Sequence, residues 1–233
     1  MQKWRKNIRS EETGTVRRRG RPRAFDRAAA LEKAMLLFWR KGYEATSISD
    51  LTEAMGIGSP SLYAAFGPKE ALYSEALRHY RETFDPPVWD LLESVGTVRE
   101  AIERYLMDAA AGLAPGAGAR PAGCMVTLSS VSCDEHPDLH ELMRCERAVN
   151  LDRLKARLGR AVQVGELPAS ADIHALARFV QSVQFGMSIL ARDGATRDEL
   201  EAVARLSMEG WDRHLEPPKK PTRKPIGPSG RAR

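Results

Sequence analysis

A chain of 233 residues, 42% hydrophobic and 29% charged, is long enough for one large or two small domains with a true core. Its formal charge of +5 is unevenly placed: residues 1–24 carry nine Lys or Arg against two Glu, residues 216–233 six against one, and the stretch between sums to −7. No stretch approaches the ~18 uninterrupted apolar residues of a membrane span, no apolar segment follows the basic N-terminus as in a secretory signal, and three cysteines make no disulfide framework, so a cytoplasmic protein is expected.

Residues 1–24 lack apolar periodicity and read as a disordered basic arm. Asp26 is a candidate N-cap for a first helix to about Lys41, with Ala30, Leu31, Ala34, Leu37 and Phe38 at core spacing and Gly42 to end it. Ser47, followed three residues later by Asp50, resembles a capping box and starts a second helix whose Ile48, Leu51 and Met55 face inward. Gly56-Ile57-Gly58 supplies a tight turn. Ser59-Pro60 then opens a third helix, with Pro where its missing amide costs nothing, anchored by Leu62 and Phe66. Pro68 opens a fourth, with Ala71, Leu72, Ala76 and Leu77, to about Tyr80. Helices as short as Ile48–Met55 and Pro60–Phe66 cannot bury their faces alone and must cross on a third. That is the helix-turn-helix, whose second helix can enter a major groove. Sequence-specific binding of double-stranded DNA is the function this predicts.

Asp85-Pro86-Pro87 breaks the pattern and marks an expected boundary between a DNA-binding domain over 25–80 and a second helical domain over 81–215. In the latter, Thr97–Leu113, roughly Pro137–Val164, Ala171–Ala191 and Thr196–His214 read as helices, with a Gly/Ala/Pro-rich loop at 114–123. Thr196 and Glu199 form another capping box. Residues 216–233 are low-complexity and read as a disordered basic tail. Period-two alternation is absent, so the expected fold is all-α.

From Phe25 to Tyr80 the sequence resembles the TetR family of bacterial regulators. The resemblance is carried by Gly42-Tyr43, Thr46-Ser47, Leu51, Gly56-Ile57, Ser61-Leu62-Tyr63, Phe66 and Lys69-Glu70-Ala71-Leu72; residues 81–215 match in layout only. It implies a homodimer with an N-terminal DNA-binding domain and a C-terminal ligand-binding and dimerisation domain, usually a repressor released from a palindromic operator by a small molecule. It further implies that Ser59, Pro60, Ser61, Tyr63 and Ala64 face the groove. The residue types agree in part: Ser hydroxyls reach base edges or phosphates, a Tyr hydroxyl suits phosphate, and Pro60 and Ala64 offer apolar contact to thymine methyls. Thr46, Ser47 and Ser49 would touch backbone, where free helix amides attract phosphate, as would Lys69. Against this, Ser59 and Ser61 could serve only as caps and Tyr63 only in packing.

The third helix has no Arg, Asn or Gln for bidentate base contacts, and residues 25–80 sum to a charge of −1. The missing attraction is expected from the arm, where Arg19-Gly20-Arg21-Pro22, flanked by Arg17, Arg18 and Arg23, resembles a minor-groove hook. The competing reading is a solvated tail with non-specific attraction only.

Ala171–Ala191 and Thr196–His214 suit a dimeric four-helix bundle through Phe179, Val183, Gly186, Leu190, Leu200, Val203 and Trp211, with intrachain core as the alternative. A ligand pocket inside the second domain would draw on Tyr105, Met107, Cys124, Met125, Met143, Phe179, Phe185 and Met187, though apolar residues at helical spacing are more often core. Cys124, beside Gly123, is either a redox- or electrophile-sensing thiol or a small buried hydrophobe. Cys133, His136 and His140 have ligand-like spacing but no evident fourth partner, so no metal and no cofactor are expected. No nucleophile elbow, P-loop, dinucleotide fingerprint or metalloprotease motif supports an enzyme. The remaining alternative is a DNA-binding protein of low specificity acting through its basic tails.

Overall fold

The computed structural model describes residues 25–84, 89, 92–93, 96–116, 120–129 and 134–215. The expected arm with Arg19, Arg21 and Arg23, the tail from 216, the break at Asp85-Pro86-Pro87 and Cys133 lie outside the described residues. Among the described residues there is no strand, and no helix long and apolar enough to cross a membrane.

The helices are α1 (Arg27–Lys41), α2 (Ile48–Met55), α3 (Ser59–Phe66), α4 (Lys69–Phe84), α5 (Val98–Leu113), α6 (Met125–Leu128), α7 (Pro137–Gln163), α8 (Ile173–Arg192) and α9 (Arg197–Leu215). Local chemistry sets their ends. Asp26 accepts from the amides of Ala28 and Ala29 and starts α1, and Gly42 closes it at φ 82°. Ser47 and Asp50 form a reciprocal capping box on α2, and Gly56 ends that helix in the left-handed region, where a side chain would be strained. Thr97 with Glu100 and Thr196 with Glu199 repeat the device on α5 and α9.

The Ser47 amide, and next Lys41, hold the Asp50 carboxyl at a pKa of about 2, below its ordinary 3.8. A depressed carboxyl stabilises fully above its ordinary value and loses that contribution as pH falls towards the folded-state value. The start of α2 should therefore loosen between about pH 4 and pH 2. Ser47→Ala should cost about 1 kcal/mol, read as a lower urea midpoint. Unchanged stability in that variant would show that the cap contributes nothing.

The core falls into two clusters. One joins α1–α4 through Ala34, Met35, Phe38, Trp39, Leu51, Leu62, Phe66, Leu72, Tyr73 and Leu77. It does not stop at residue 80: Met125 and Val126 of α6 and Leu139 and Met143 of α7 belong to it. The other fills the space among α5, α7, α8 and α9 and includes Ile102, Leu106, Leu154, Val180, Met187, Leu200 and Trp211. The fourth helix also runs one turn past its expected end, to Phe84, and the short α6 was not expected.

These clusters correct several sequence expectations. Met143 and Met187, expected in a pocket, are buried core, because each lies where two or more helices converge; Met125, also buried, borders a separate space of about 180 Å³ against the end of α1. Leu200 and Trp211, expected between subunits, are buried within this one.

Candidate nucleic-acid interface and adjoining cavity

The turn between α2 and α3 sets Leu62 and Phe66 into the α1–α4 core and leaves Ser59, Pro60, Ser61, Tyr63 and Ala64 exposed on the opposite side of α3. Tyr63 is 50% exposed, with its ring offered to solvent beside Ser59 and Pro60. Ser49 is exposed at the start of α2, and Ser47, also exposed, has its hydroxyl engaged by the Asp50 amide. Thr46 departs from expectation: its side chain is wholly buried and its hydroxyl donates to the Gly42 carbonyl at 2.6 Å, closing the α1–α2 turn rather than facing solvent. Lys69 lies with its ammonium 4.1 Å from the centre of the Tyr43 ring.

One residue of this surface escaped sequence reasoning. Arg27 spans from α1 to the end of α3, donating to the Ala65 carbonyl and pairing with Glu75, with its guanidinium 4.3 Å from the Phe66 ring centre. The Ala65 carbonyl is among the last of α3 and has no helical partner, so Arg27 caps that helix. Nothing in the local pattern of α1 marks this residue, because its partners are 38 and 48 positions away.

On the other half, α8 and α9 pack together and leave an apolar stripe uncovered. Phe179, Ile189 and Leu190 are exposed on α8, with Gly186 between them and Val183 half-buried; on α9 Val203 is half-buried and Leu206 is 66% exposed. A groove of about 320 Å³ between the two helices, lined by Ala175, Leu176, Phe179, Gly210, Trp211 and His214, continues this face. Trp211 reaches the groove only as its floor.

A cavity of about 110 Å³ lies where the two core clusters meet. Its walls are Trp39 of α1, Tyr80 and Phe84 of α4, Trp89, then Tyr105, Asp108, Ala109, Gly112 and Leu113 of α5, Arg120, Gly123 and Cys124 of the following loop, Asn150 of α7 and Gln184 of α8. Of the expected pocket residues it gathers Tyr105 and Cys124. Met107 and Phe185 are half-buried elsewhere, and Phe179 faces outward. Trp39, Tyr80 and Trp89 were not among the expected pocket residues, and Phe84 lies past the expected end of the fourth helix.

The cavity rim is wired to both halves. The Trp39 indole N–H donates to the Gly123 carbonyl at 3.0 Å, and the Cys124 amide donates to the Ser188 hydroxyl at 2.8 Å. Cys124 itself is half-buried. Arg192, at the end of α8, donates to the carbonyls of Ala122, Trp39 and Arg40. His136 packs edge-on to Tyr43, with the carboxylates of Glu44 and Glu70 at 3.8 and 3.7 Å. Glu44, Glu135 and His136 bring one possible ligand atom each within 4.8 Å of one another, a set different from the Cys133, His136 and His140 spacing weighed in the sequence.

A short helix pair offered to solvent from a helical platform, joined through a cavity to a second helical half with an uncovered apolar face, defines a helix-turn-helix regulator. The family model for bacterial regulatory proteins of the tetR family matches residues 30–76. The chain is 36% identical over 196 residues to the HTH-type transcriptional repressor ComR of Escherichia coli, covering 83% of this chain and 92% of that protein. It is 31% identical to the repressor BdcR of the same organism, over 84% and 94% of the two chains. Among solved structures, a cysteine-substituted form of the TetR family regulator CifR, complexed with a 26-base-pair double-stranded operator, superposes with a TM-score of 0.77 at 38% identity, covering 82% of this chain and all of that one. The chain belongs to the TetR family of transcriptional regulators.

Proposed function

We propose that the chain is a cytoplasmic, homodimeric repressor that acts by binding rather than catalysis, holds a palindromic operator through α3 of each subunit, and releases it when a small molecule occupies the cavity between α1, α4 and α5. The observation that carries the reading is the exposed α3 face of Ser59, Pro60, Ser61, Tyr63 and Ala64, held out by a buried Leu62 and Phe66. The operator-bound CifR, similar over its whole length, supports the DNA assignment, and the names of ComR and BdcR support repression. The apolar stripe on α8 and α9 supports the dimer, since an exposed row of this size is costly in a lone subunit. The arm supplies the phosphate attraction that α3 lacks.

Selection of random DNA by the full chain at near-physiological salt should enrich an inverted repeat, because two-fold protein symmetry imposes two-fold operator symmetry. Strong, salt-sensitive retention with no enriched sequence would overturn the reading. On the enriched operator, Tyr63→Ala should raise Kd roughly thirty-fold, about 1 kcal/mol from each subunit, without lowering thermal stability. An unchanged Kd would remove Tyr63 from the interface.

A further inference from the structure

We propose that the cavity between the two core clusters is a cation site, built for a small organic monocation, and that Arg120 of the chain itself occupies it in the unliganded protein. The proposal rests on the assignment of this cavity as the effector site and deepens it by naming the ligand class.

The walls argue for positive charge. The Trp39 ring meets Tyr80 at 4.8 Å and Phe84 at 5.4 Å, and Trp89 meets Tyr105 at 5.2 Å, so two groups of aromatic rings bound the space. Ring faces carry the negative lobe of the aromatic quadrupole and attract cations within about 6 Å. Two acceptors join them. Asp108 contributes a carboxylate, shared with Arg104 at 3.3 Å, and the Asn150 side-chain oxygen is buried with no hydrogen-bond partner among the described residues. An unpaired buried acceptor is costly, and a ligand N–H would satisfy it.

Among the described residues, the only cationic side chain in the lining is Arg120. Its guanidinium carbon lies 5.9 Å from the Trp39 ring centre and 5.5 Å from that of Phe84, and it also donates to the Gly112 carbonyl. The cage thus already holds a cation by its ring faces. An incoming anion would meet Asp108, the Asn150 oxygen and the rings with one attractive partner. A neutral molecule would gain nothing from the charge. A cation with a donor gains from every wall and needs only to displace Arg120. A cavity of ~150 Å³ lined by apolar side chains holds a benzene; the space here is about 110 Å³ with Arg120 in its lining, so displacement of that side chain makes room for a molecule of one ring.

The test uses the full-length dimer and three probes of matched shape: benzylammonium, benzyl alcohol and benzoate. Thermal shift reads binding, and fluorescence anisotropy on the selected operator reads release. Benzylammonium should raise Tm and weaken operator binding, while the other two do neither at the same concentration. Arg120→Ala should bind benzylammonium about tenfold more tightly, because an internal competitor is gone. Asp108→Asn should bind it about tenfold more weakly. Benzoate or benzyl alcohol binding in its place, weaker benzylammonium binding by Arg120→Ala, or no probe binding to either the unaltered protein or Arg120→Ala, would each overturn the cation site. Benzoate that binds and releases the operator would do so while leaving the effector assignment intact. Benzylammonium that binds with the stated variant effects but leaves operator Kd unchanged would uphold the cation site and sink the effector assignment.

Discussion

Truncation of Phe38 to alanine should destabilise the protein by about 3–5 kcal/mol, lowering Tm by roughly ten degrees for a chain of this size. Phe38 is 1% exposed and sits at the centre of an aromatic cluster, edge-on to Tyr73 at 5.0 Å and stacked beside Tyr43 at 6.3 Å. Those two tyrosines touch each other at 5.1 Å, and each has a fixed hydroxyl: Tyr43 donates to Glu70 at 2.9 Å and Tyr73 to Ser129 at 2.7 Å. Burial pushes both phenols above their usual pKa, and for Tyr43 the bond to Glu70 adds to the effect. The cluster cannot collapse onto the vacated ring without breaking these bonds. The cost should therefore fall at the upper part of the range for cavity-forming changes. Phe38→Leu keeps most of the volume and should cost far less. Equilibrium denaturation in urea gives both values, and a loss under about 1 kcal/mol for the alanine variant would mean that the cluster repacks.

Phe38 was legible in the sequence, as were nearly all helix ends from Asp26 to Gly56, because caps, glycines and 3.6-residue periodicity act over three or four positions. The same holds for Leu62 and Phe66, and so for the outward face of α3. What could not be read is long-range. Thr46 and Ser47 are adjacent hydroxyls of similar chemistry, and only the path of the α1–α2 turn buries the first and exposes the second. Leu200 and Val203 lie three residues apart on α9, and rotation about that helix sends one into the core and leaves the other half-buried. Met125, Met143 and Met187 carry no sign of whether the gap beside them is filled. The cavity draws on α1, α4, α5, α7, α8 and a loop, so no window of sequence contains it, and its aromatic walls look like ordinary core in each helix taken alone. Hydrogen bonds tie α1 through Trp39 to the loop at Gly123 and to Arg192 of α8, contacts of long sequence separation that no helix pattern announces.

Arg192→Met should cost about 2–3 kcal/mol of stability and weaken operator binding about tenfold, or ~1.4 kcal/mol. The guanidinium closes the C-terminal end of α1 from α8, donating to Trp39 at 2.8 Å, Arg40 at 3.0 Å and Ala122 at 3.1 Å. The first two carbonyls lie in the last turn of α1, and the end of a helix carries partial negative charge that favours a cation. Burial pulls the arginine pKa below its usual value, and no carboxylate stands among those three acceptors, yet the group stays charged across the working range. Methionine keeps the apolar stem and removes all three donors, so the loss measured is that of the bonds. Lysine, a compact charge without the planar fork, should recover only part. The loop it braces has no slack: Gly123 sits at φ +78°, and a Cβ there would lie 2.7 Å from the Ser188 carbonyl oxygen. The α8 helix carries the apolar stripe, and α1 packs on α2 and α4, which between them hold α3. A palindrome reads the distance between the two recognition helices of a dimer, and under the proposed function a brace between α1 and α8 would help to set it. Urea denaturation and anisotropy on the selected operator measure the two effects separately. If stability falls as stated while operator Kd stays the same, α1 and α8 are joined for folding alone and the signal between cavity and DNA runs through α4.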